Sequence, residues 1–349
     1  MKPLNILICP LDWGLGHATR CAPIIKELLK QEHKVLIAVA DSKQKRFFQG
    51  EFPKVQQIKI PAYSIKYPQK SWQMPFWIFK EIPRLLSIKK RENKFIEKIV
   101  TLEDIDVIIS DNRFGCFNKK TLNIYITHQI LISFPRIWRF FESWGAKFHA
   151  YLYRGFDQVW IPDYPKYPGL AAKLSHAPCP LPTQWLGALS RLKPYAKENS
   201  SEEKIEILAI ISGPEPQRTN FEEFALKYAN RWRNKSIIVR GLPNLPAKVT
   251  RQGVAEIHNH ASAKQLSRWI KQANKIICRS GYSTIMDLAH FNKEVEWYPT
   301  LGQTEQEYLA EIHQEPLKSL SLKEHPTNLL EECIASLPDL FSQRKPTYE

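Results

Sequence analysis

Residues 275–289 constrain this chain most. Lys275-Ile-Ile-Cys278 is an apolar run too short to be a helix by itself, so it reads as a buried strand. Arg279-Ser280-Gly281 breaks the pattern, and apolar residues resume at helical spacing with Ile285, Leu288 and Ala289. A strand, a turn of small residues and a helix aim free backbone N–H groups at an anion, and the helix dipole adds to the attraction. Gly281 lets a phosphate approach the backbone, while Ser280, Ser283 and Thr284 add hydroxyl donors. Asp287 lies six residues after Gly281, where a carboxylate accepts hydrogen bonds from a ribose. An ordinary strand–helix turn with an N-capping serine is the competing explanation.

A similar turn lies at the other end of the chain, Asp12-Trp-Gly-Leu-Gly-His-Ala-Thr-Arg20. It sits between a strand at 5–9 and a helix at 18–29, in which Pro23 is tolerable near the start. A second buried strand, 35–40, ends in Asp41. This β–turn–α–β opening predicts a parallel sheet with right-handed crossovers, and open sheets of that kind bind ligands at the carboxyl ends of their strands. Gly14, Gly16 and His17 lie at such an end. Further buried strands at 106–110, 122–127 and 156–162 deliver Asp111-Asn-Arg113, His128 and Asp163. A polar stretch closing near Lys204 marks a domain boundary, after which the βα rhythm restarts. Strands are predicted at 205–212, 236–240, 254–258 and 294–298, helices from Asn220 and over 263–272, and a last helix over 326–341.

These two turns, followed by Gly302-Gln-Thr-Glu-Gln-Glu-Tyr-Leu-Ala310, resemble the inverting GT-B glycosyltransferases of family 28. That family includes the UDP-N-acetylglucosamine transferase that makes lipid II. The resemblance implies an α/β fold with two Rossmann-like, doubly wound parallel-sheet domains facing a cleft. It divides the chain into an acceptor- and membrane-facing domain, 1–187, a linker, 188–204, and a nucleotide-sugar donor domain, 205–325. The remainder, 326–349, is a helix crossing back to the first domain and a tail.

The reaction so implied is a metal-independent transfer, with inversion, of N-acetylglucosamine or another hexose from UDP. The acceptor is a hydroxyl, lipid-linked or on an envelope glycan precursor, and no cofactor is needed. Carried over by motif, Arg279, Ser280, Gly281 and Ser283 meet the diphosphate, Asp287 the ribose, and Gln303, Glu305 and Gln306 the donor sugar. The family's phosphate-side glycine loop corresponds to Ser212-Gly213. Here Pro214 and Pro216 replace a run of small residues, and Arg218 supplies a cation instead.

His17 is the first candidate for catalytic base, because its unperturbed pKa lies near neutrality and Gly14 and Gly16 leave room for both substrates. Asp111 is the second. Asn112 and Arg113 are placed to fix an acceptor phosphate, and His128 is an acceptor contact or a structural residue. A capping or turn role is the alternative for His17. Asp104-Ile-Asp106 imitates a metal-holding D-x-D pair but precedes its strand, at the edge of the sheet away from the site.

Charge bears on the partner. With 50 Lys and Arg against 35 Asp and Glu, the net charge is +15, which favours an anionic partner. Aromatic residues interleave with Lys and Arg over 63–95 and again over 134–144. Such interleaving suits an anionic membrane surface, with the rings at headgroup depth and the cations on lipid. The alternative puts the rings in the core and the cations on a solvated face. No apolar run approaches the ~18 residues of a membrane span, and the start of the chain is too short in apolar residues for a signal peptide. The six cysteines are scattered without a C-x-x-C, as expected for free thiols in a cytoplasmic protein without a zinc site. The expected location is the cytoplasm, peripheral on the inner face of its membrane.

Two other classes remain open. Gly14-Leu-Gly16 after a strand, with Asp41 after the next, imitates the fingerprint of an NAD-linked oxidoreductase. Thr19 stands where that fingerprint has its third glycine, and the turn at Gly281 is left unexplained. A non-catalytic basic protein binding membrane or nucleic acid would explain charge and aromatics alone; no nucleic-acid motif accompanies them, so nucleic acid is not the expected partner. A UDP-sugar 2-epimerase shares the GT-B fold.

Overall fold

Continuous apolar runs, covered by helices on both faces, build one parallel and one mostly parallel sheet. The computed structural model describes residues 3–63, 74–134, 136–198, 203–314 and 325–344. The chain divides into two compact units, residues 1–189 with 323–349, and residues 190–322.

In unit 1 the elements run β1 (Asn5–Pro10), α1 (Gly16–Lys30), β2 (Lys34–Val39), α2 (Ser42–Glu51), β3 (Gln56–Lys59), α3 (Met74–Leu102), β4 (Val107–Asp111), β5 (Leu122–Ile126), α4 (Glu142–Tyr153), β6 (Gln158–Ile161) and β7 (Thr183–Trp185). All seven strands are parallel, in the order β3-β2-β1-β4-β5-β6-β7. The chain winds outward from β1 to β3, then returns to place β4 on the other side of β1. The order therefore reverses between β1 and β4, where Pro10 pairs with Asp111. Ile6, Leu7 and Ile8 are fully buried, as are Val107, Ile108 and Ile109.

Unit 2 repeats the plan with β8 (Ile205–Ile210), α5 (Gln217–Ala229), β9 (Ser236–Val239), β10 (Val249–Gln252), β11 (Ala255–His258), α6 (Ala263–Gln272), β12 (Ala273–Cys278), α7 (Tyr282–Leu288), β13 (Val295–Trp297) and α8 (Thr304–Ile312). The strand order is β10-β11-β9-β8-β12-β13, parallel except for β10. Its reversal falls between β8 and β12, where Ile210 pairs with Cys278. Residues 190–198 pack within this unit: Leu192 is buried in its core and Lys271 Nζ donates to the Tyr195 carbonyl at 2.8 Å.

The single helix expected over 326–341 is two, α9 (Leu329–Ala335) and α10 (Leu337–Gln343), with Pro338 at the start of the second. A proline inside one continuous helix would remove a hydrogen bond and clash with the preceding turn. α9 lies on α1 in unit 1, where Gln31 Nε2 donates to the Glu331 carbonyl at 3.3 Å.

Candidate functional site

In unit 1 the reversal of strand order brings together four side chains. His17 is in the first turn of α1, Arg20 one turn on, Asp111 ends β4 and His128 follows β5. Asp111 is fully buried and Arg20 is 2% exposed. Arg20 donates to the carboxylate through Nε at 2.7 Å and again through Nη2. It also reaches His128 Nδ1 through Nη1 at 3.3 Å. His17 Nδ1 lies 3.1 Å from Asp111 Oδ2 and 2.8 Å from Arg20 Nη2. Cys21 Sγ is 3.6 Å from the same carboxylate oxygen.

Burial alone would raise the Asp111 pKa. The Arg20 guanidinium and then His17 outweigh it, and the carboxyl is held well below the usual range. His17 is lowered from its ordinary value, first by burial and then by Arg20, with Asp111 opposing. A neutral imidazole beside a firmly ionised carboxylate is the arrangement of a general base with an orienting partner.

Asn112 takes the left-handed conformation, φ +56°, and its Oδ1 accepts from Tyr125 Oη at 3.0 Å. Arg113, assigned from sequence to an acceptor phosphate, points inward with no exposure. Its Nε donates to Glu92 at 2.6 Å, Nη1 to Asp12 at 3.2 Å and Nη2 to the Pro61 carbonyl. Tyr63 Oη donates to Glu92 at 2.8 Å, and Tyr63 N donates to Asp12 at 3.0 Å. This buried network frames the loop that carries Gly14 and His17. Gly14 has φ +78° and open space around its missing side chain.

Asp41, the acidic residue of the dinucleotide fingerprint, caps α2 by accepting from Gln44 N at 2.7 Å. Asp106 accepts from Asn5 N at 2.8 Å and the Asp104 carbonyl from Asn5 Nδ2 at 2.8 Å, so the D-x-D pair is tied to the start of β1.

In unit 2 the turns after β8 and β12 also lie at the reversal. Glycine at 213 is needed for φ +108°. Gly281 differs: its φ is −69°, and nothing lies within 4 Å of where a Cβ would stand. Neither backbone nor packing requires glycine there, whereas a Cβ on Gly115, Gly155 or Gly253 would collide with neighbours. Ser280 Oγ donates to the Gln306 carbonyl at 2.7 Å. Gln306 accepts from Thr300 N at 2.9 Å and donates to Gln303 Oε1 at 2.5 Å. The turn, the end of β13 and the start of α8 are therefore one network, with Glu305 in the first turn of α8. Ser283 and Ser212 are partly exposed beside their turns.

Two of the predicted phosphate cations turn inward. Arg279 donates to the carbonyls of Tyr298, Pro299 and Gln217 and stacks on Phe221. Arg218 pairs with Glu215 at 2.6 Å and Glu222 at 2.8 Å. Asp287 accepts from Ser190 Oγ at 2.5 Å, and burial pushes its pKa up to about 6.

Sequence reasoning missed Arg20, although its spacing of three from His17 on a helix puts both on one face. It also missed Ser190, Glu92 and Thr300, the last a buried hydroxyl with no partner among the described residues.

Two doubly wound sheets of this order, each with an open turn at its reversal, define the GT-B fold. No known family profile matches the chain. An "uncharacterized glycosyltransferase" of Methanosarcina acetivorans is 23% identical over 351 residues, covering 95% of this chain and 89% of the relative. One of the same name from Methanosarcina mazei is 22% identical with the same coverage. Among solved structures, the glycotransferase of kitacinnamycin superposes with TM-score 0.59 at 12% identity, covering 98% of this chain and 94% of the other. Spinosyn rhamnosyltransferase SpnG, complexed with thymidine diphosphate, gives 0.55 at 11% over 97% and 96%. MurG of Acinetobacter baumannii gives 0.51 at 10% over 97% and 100%.

Proposed function

We propose that this chain transfers a hexose, with inversion and without a metal, from a UDP-sugar to a hydroxyl acceptor. The observation that carries the reading is the histidine–carboxylate pair at one reversal of strand order with an unfilled glycine turn at the other. In the proposed step the acceptor oxygen bonds to the anomeric carbon as the bond to the diphosphate oxygen breaks. The acceptor's proton passes to His17, and UDP leaves. His17, Asp111 and His128 serve the acceptor side. Backbone N–H groups of the turns at Ser212-Gly213 and Ser280-Gly281 serve the diphosphate, Asp287 the ribose, and the Gln303–Gln306 network the sugar.

Gly281→Val should leave the fold intact and remove most UDP-sugar affinity in calorimetry, and Asp287→Ala should weaken it. With its pKa near 6, the Asp287 carboxylate loses its charge as pH falls through that value. Ribose hydroxyls donate to the ionised form, so UDP-sugar affinity should decline below about pH 6, and Asp287→Asn should flatten that decline. Undiminished affinity in folded Gly281→Val, or tight binding of NAD in place of the UDP-sugar, would remove the donor assignment.

The acceptor is proposed to be lipid-linked. Trp144, Lys147 and Tyr151 on α4 and Arg154 at its C-cap follow one exposed stripe, with Phe140, 72% exposed, just before the helix. Arg154 stacks on Tyr151 at 4.2 Å. Of the stretch 63–95, Tyr63 is buried and Phe95 packs on the core, leaving Lys90, Arg91 and Lys94 exposed. Lys66, Tyr67, Lys70 and Trp72 lie outside the described residues, as do the side chains of Phe76, Trp77, Phe79 and Lys80. No described helix is long and apolar enough to cross a membrane. Vesicles containing anionic lipid should sediment the protein at low salt and release it as salt screens the attraction. Equal binding to neutral vesicles, or none to either, counts against a lipid-linked acceptor.

A further inference from the structure

The Nδ1 atom of His17 has two neighbours that ask opposite things of it. Asp111 Oδ2, at 3.1 Å, only accepts; Arg20 Nη2, at 2.8 Å, only donates. One nitrogen cannot serve both at once. With its proton on Nδ1, His17 donates to Asp111 and Nε2 keeps a lone pair, ready to take a proton. With its proton on Nε2, Nδ1 accepts from Arg20 and no basic nitrogen is left. Arg20 already saturates much of the carboxylate, bonding to both oxygens, so Asp111 does not depend on His17 for a partner. Arg20 Nη1 also donates to His128 Nδ1, which requires that ring to carry its proton on Nε2.

We propose that Arg20 is a positioning residue of the reaction centre, competing with Asp111 for Nδ1 of His17 and holding His128 in the Nε2–H tautomer. It does so without touching substrate. The imidazolium carries a proton on both nitrogens, so its Nδ1 can only donate to Asp111 and can no longer accept from the guanidinium. Arg20 therefore opposes imidazolium formation in the resting protein, keeping the base neutral. Among the described residues, the charged and titratable groups acting on His17 are Asp111 from β4, Arg20 from α1 and His128 beyond β5, while Cys21 lies against the Asp111 carboxylate. Of these only Arg20 is a fixed cation, and only Asp111 a fixed anion.

The rate measurements rest on the transfer reading above, but the decisive measurement does not. Nitrogen-15 spectra of the imidazoles in the resting, full-length protein report each tautomer and titration directly, with His17→Gln identifying the His17 signals. In the wild-type protein His128 should show the Nε2–H tautomer. Arg20→Met should move the His17 titration upward by about 1–2 pH units, since the opposing cation is gone and the Asp111 carboxylate stays. Arg20→Lys, which keeps the charge but loses the fork, should move it less. If UDP-sugar turnover exists, the acid limb of kcat/KM should move up with the titration, because protonated His17 takes no proton from the acceptor. An Nδ1–H tautomer for wild-type His128 overturns the proposal even if neither variant folds. So does an unmoved His17 titration in a folded variant, or a rate that drops equally at every pH. Absent turnover with the titration shifted as stated would retain Arg20's role and discard the transferase reading.

Discussion

His17→Gln is expected to lower sugar transfer by about 10²–10⁴-fold, the usual cost of one positioned base. UDP-sugar affinity should stay within a factor of about two, because the donor contacts are assigned to the other unit. Glutamine approximates the volume of the ring and can still face Asp111, but it offers no basic nitrogen. The pH profile carries the sign. His17 must be neutral to accept a proton, and burial with Arg20 holds its pKa below the ordinary value. Wild-type kcat/KM should therefore stay level at neutral pH and fall only as pH drops below the ordinary imidazole range. Asp111→Asn should also lose most turnover, through the orientation of His17. A His17→Gln protein with near-normal turnover would transfer the role of base to Asp111.

Arg113→Leu should destabilise the protein by about 3–5 kcal/mol in urea unfolding, because removing one partner of a buried ion pair strands the other. Glu92 is 1% exposed, and burial already raises its pKa against the pull of Arg113. Without the guanidinium, Glu92 must take a proton on folding. The loss should therefore grow as pH rises above the carboxylate range and shrink in acid. The double substitution Arg113→Leu with Glu92→Leu should cost less than Arg113→Leu alone, since no charge is then left unpaired. Asp12 loses its cation too, so turnover should fall along with stability through the loop bearing His17. A change under about 1 kcal/mol in the single variant would place Arg113 outside the frame of the site.

Much of the fold is legible in local pattern. The runs 5–9, 106–110, 205–212 and 275–278 are largely apolar and rich in β-branched residues, and each forms a strand within a residue or two of its predicted limits. They are central strands, buried on both faces, where hydrophobicity has no competitor. Three of the four edge strands of the two sheets lack that signal, β13 being the exception. β3 reads Gln-Gln-Ile-Lys, β7 Thr-Gln-Trp, and all four residues of β10 are exposed. Backbone pairing alone places them, and pairing leaves little mark on composition. The start of α5 at Gln217, ahead of the expected Asn220, follows from Pro216, which suits the residue just before a first turn.

By itself the sequence determined which residues stand at the carboxyl ends of the strands, because a strand's apolar run and the polar break after it are contiguous. His17, Asp111, Ser212 and Gly281 were found that way. Only the tertiary structure decided which of those ends meet. The reversal of strand order between β1 and β4 brings positions 94 residues apart to hydrogen-bond distance. The direction of each arginine was likewise beyond the sequence. Arg113, Arg218 and Arg279 look like phosphate ligands in a motif, yet each finds carboxylates or carbonyls inside its own unit. Arg20 attracted no notice and stands at the centre of the cluster of His17, Asp111 and His128. A guanidinium takes whichever acceptors the packed chain leaves in reach, and those acceptors come from distant segments whose approach no local pattern records.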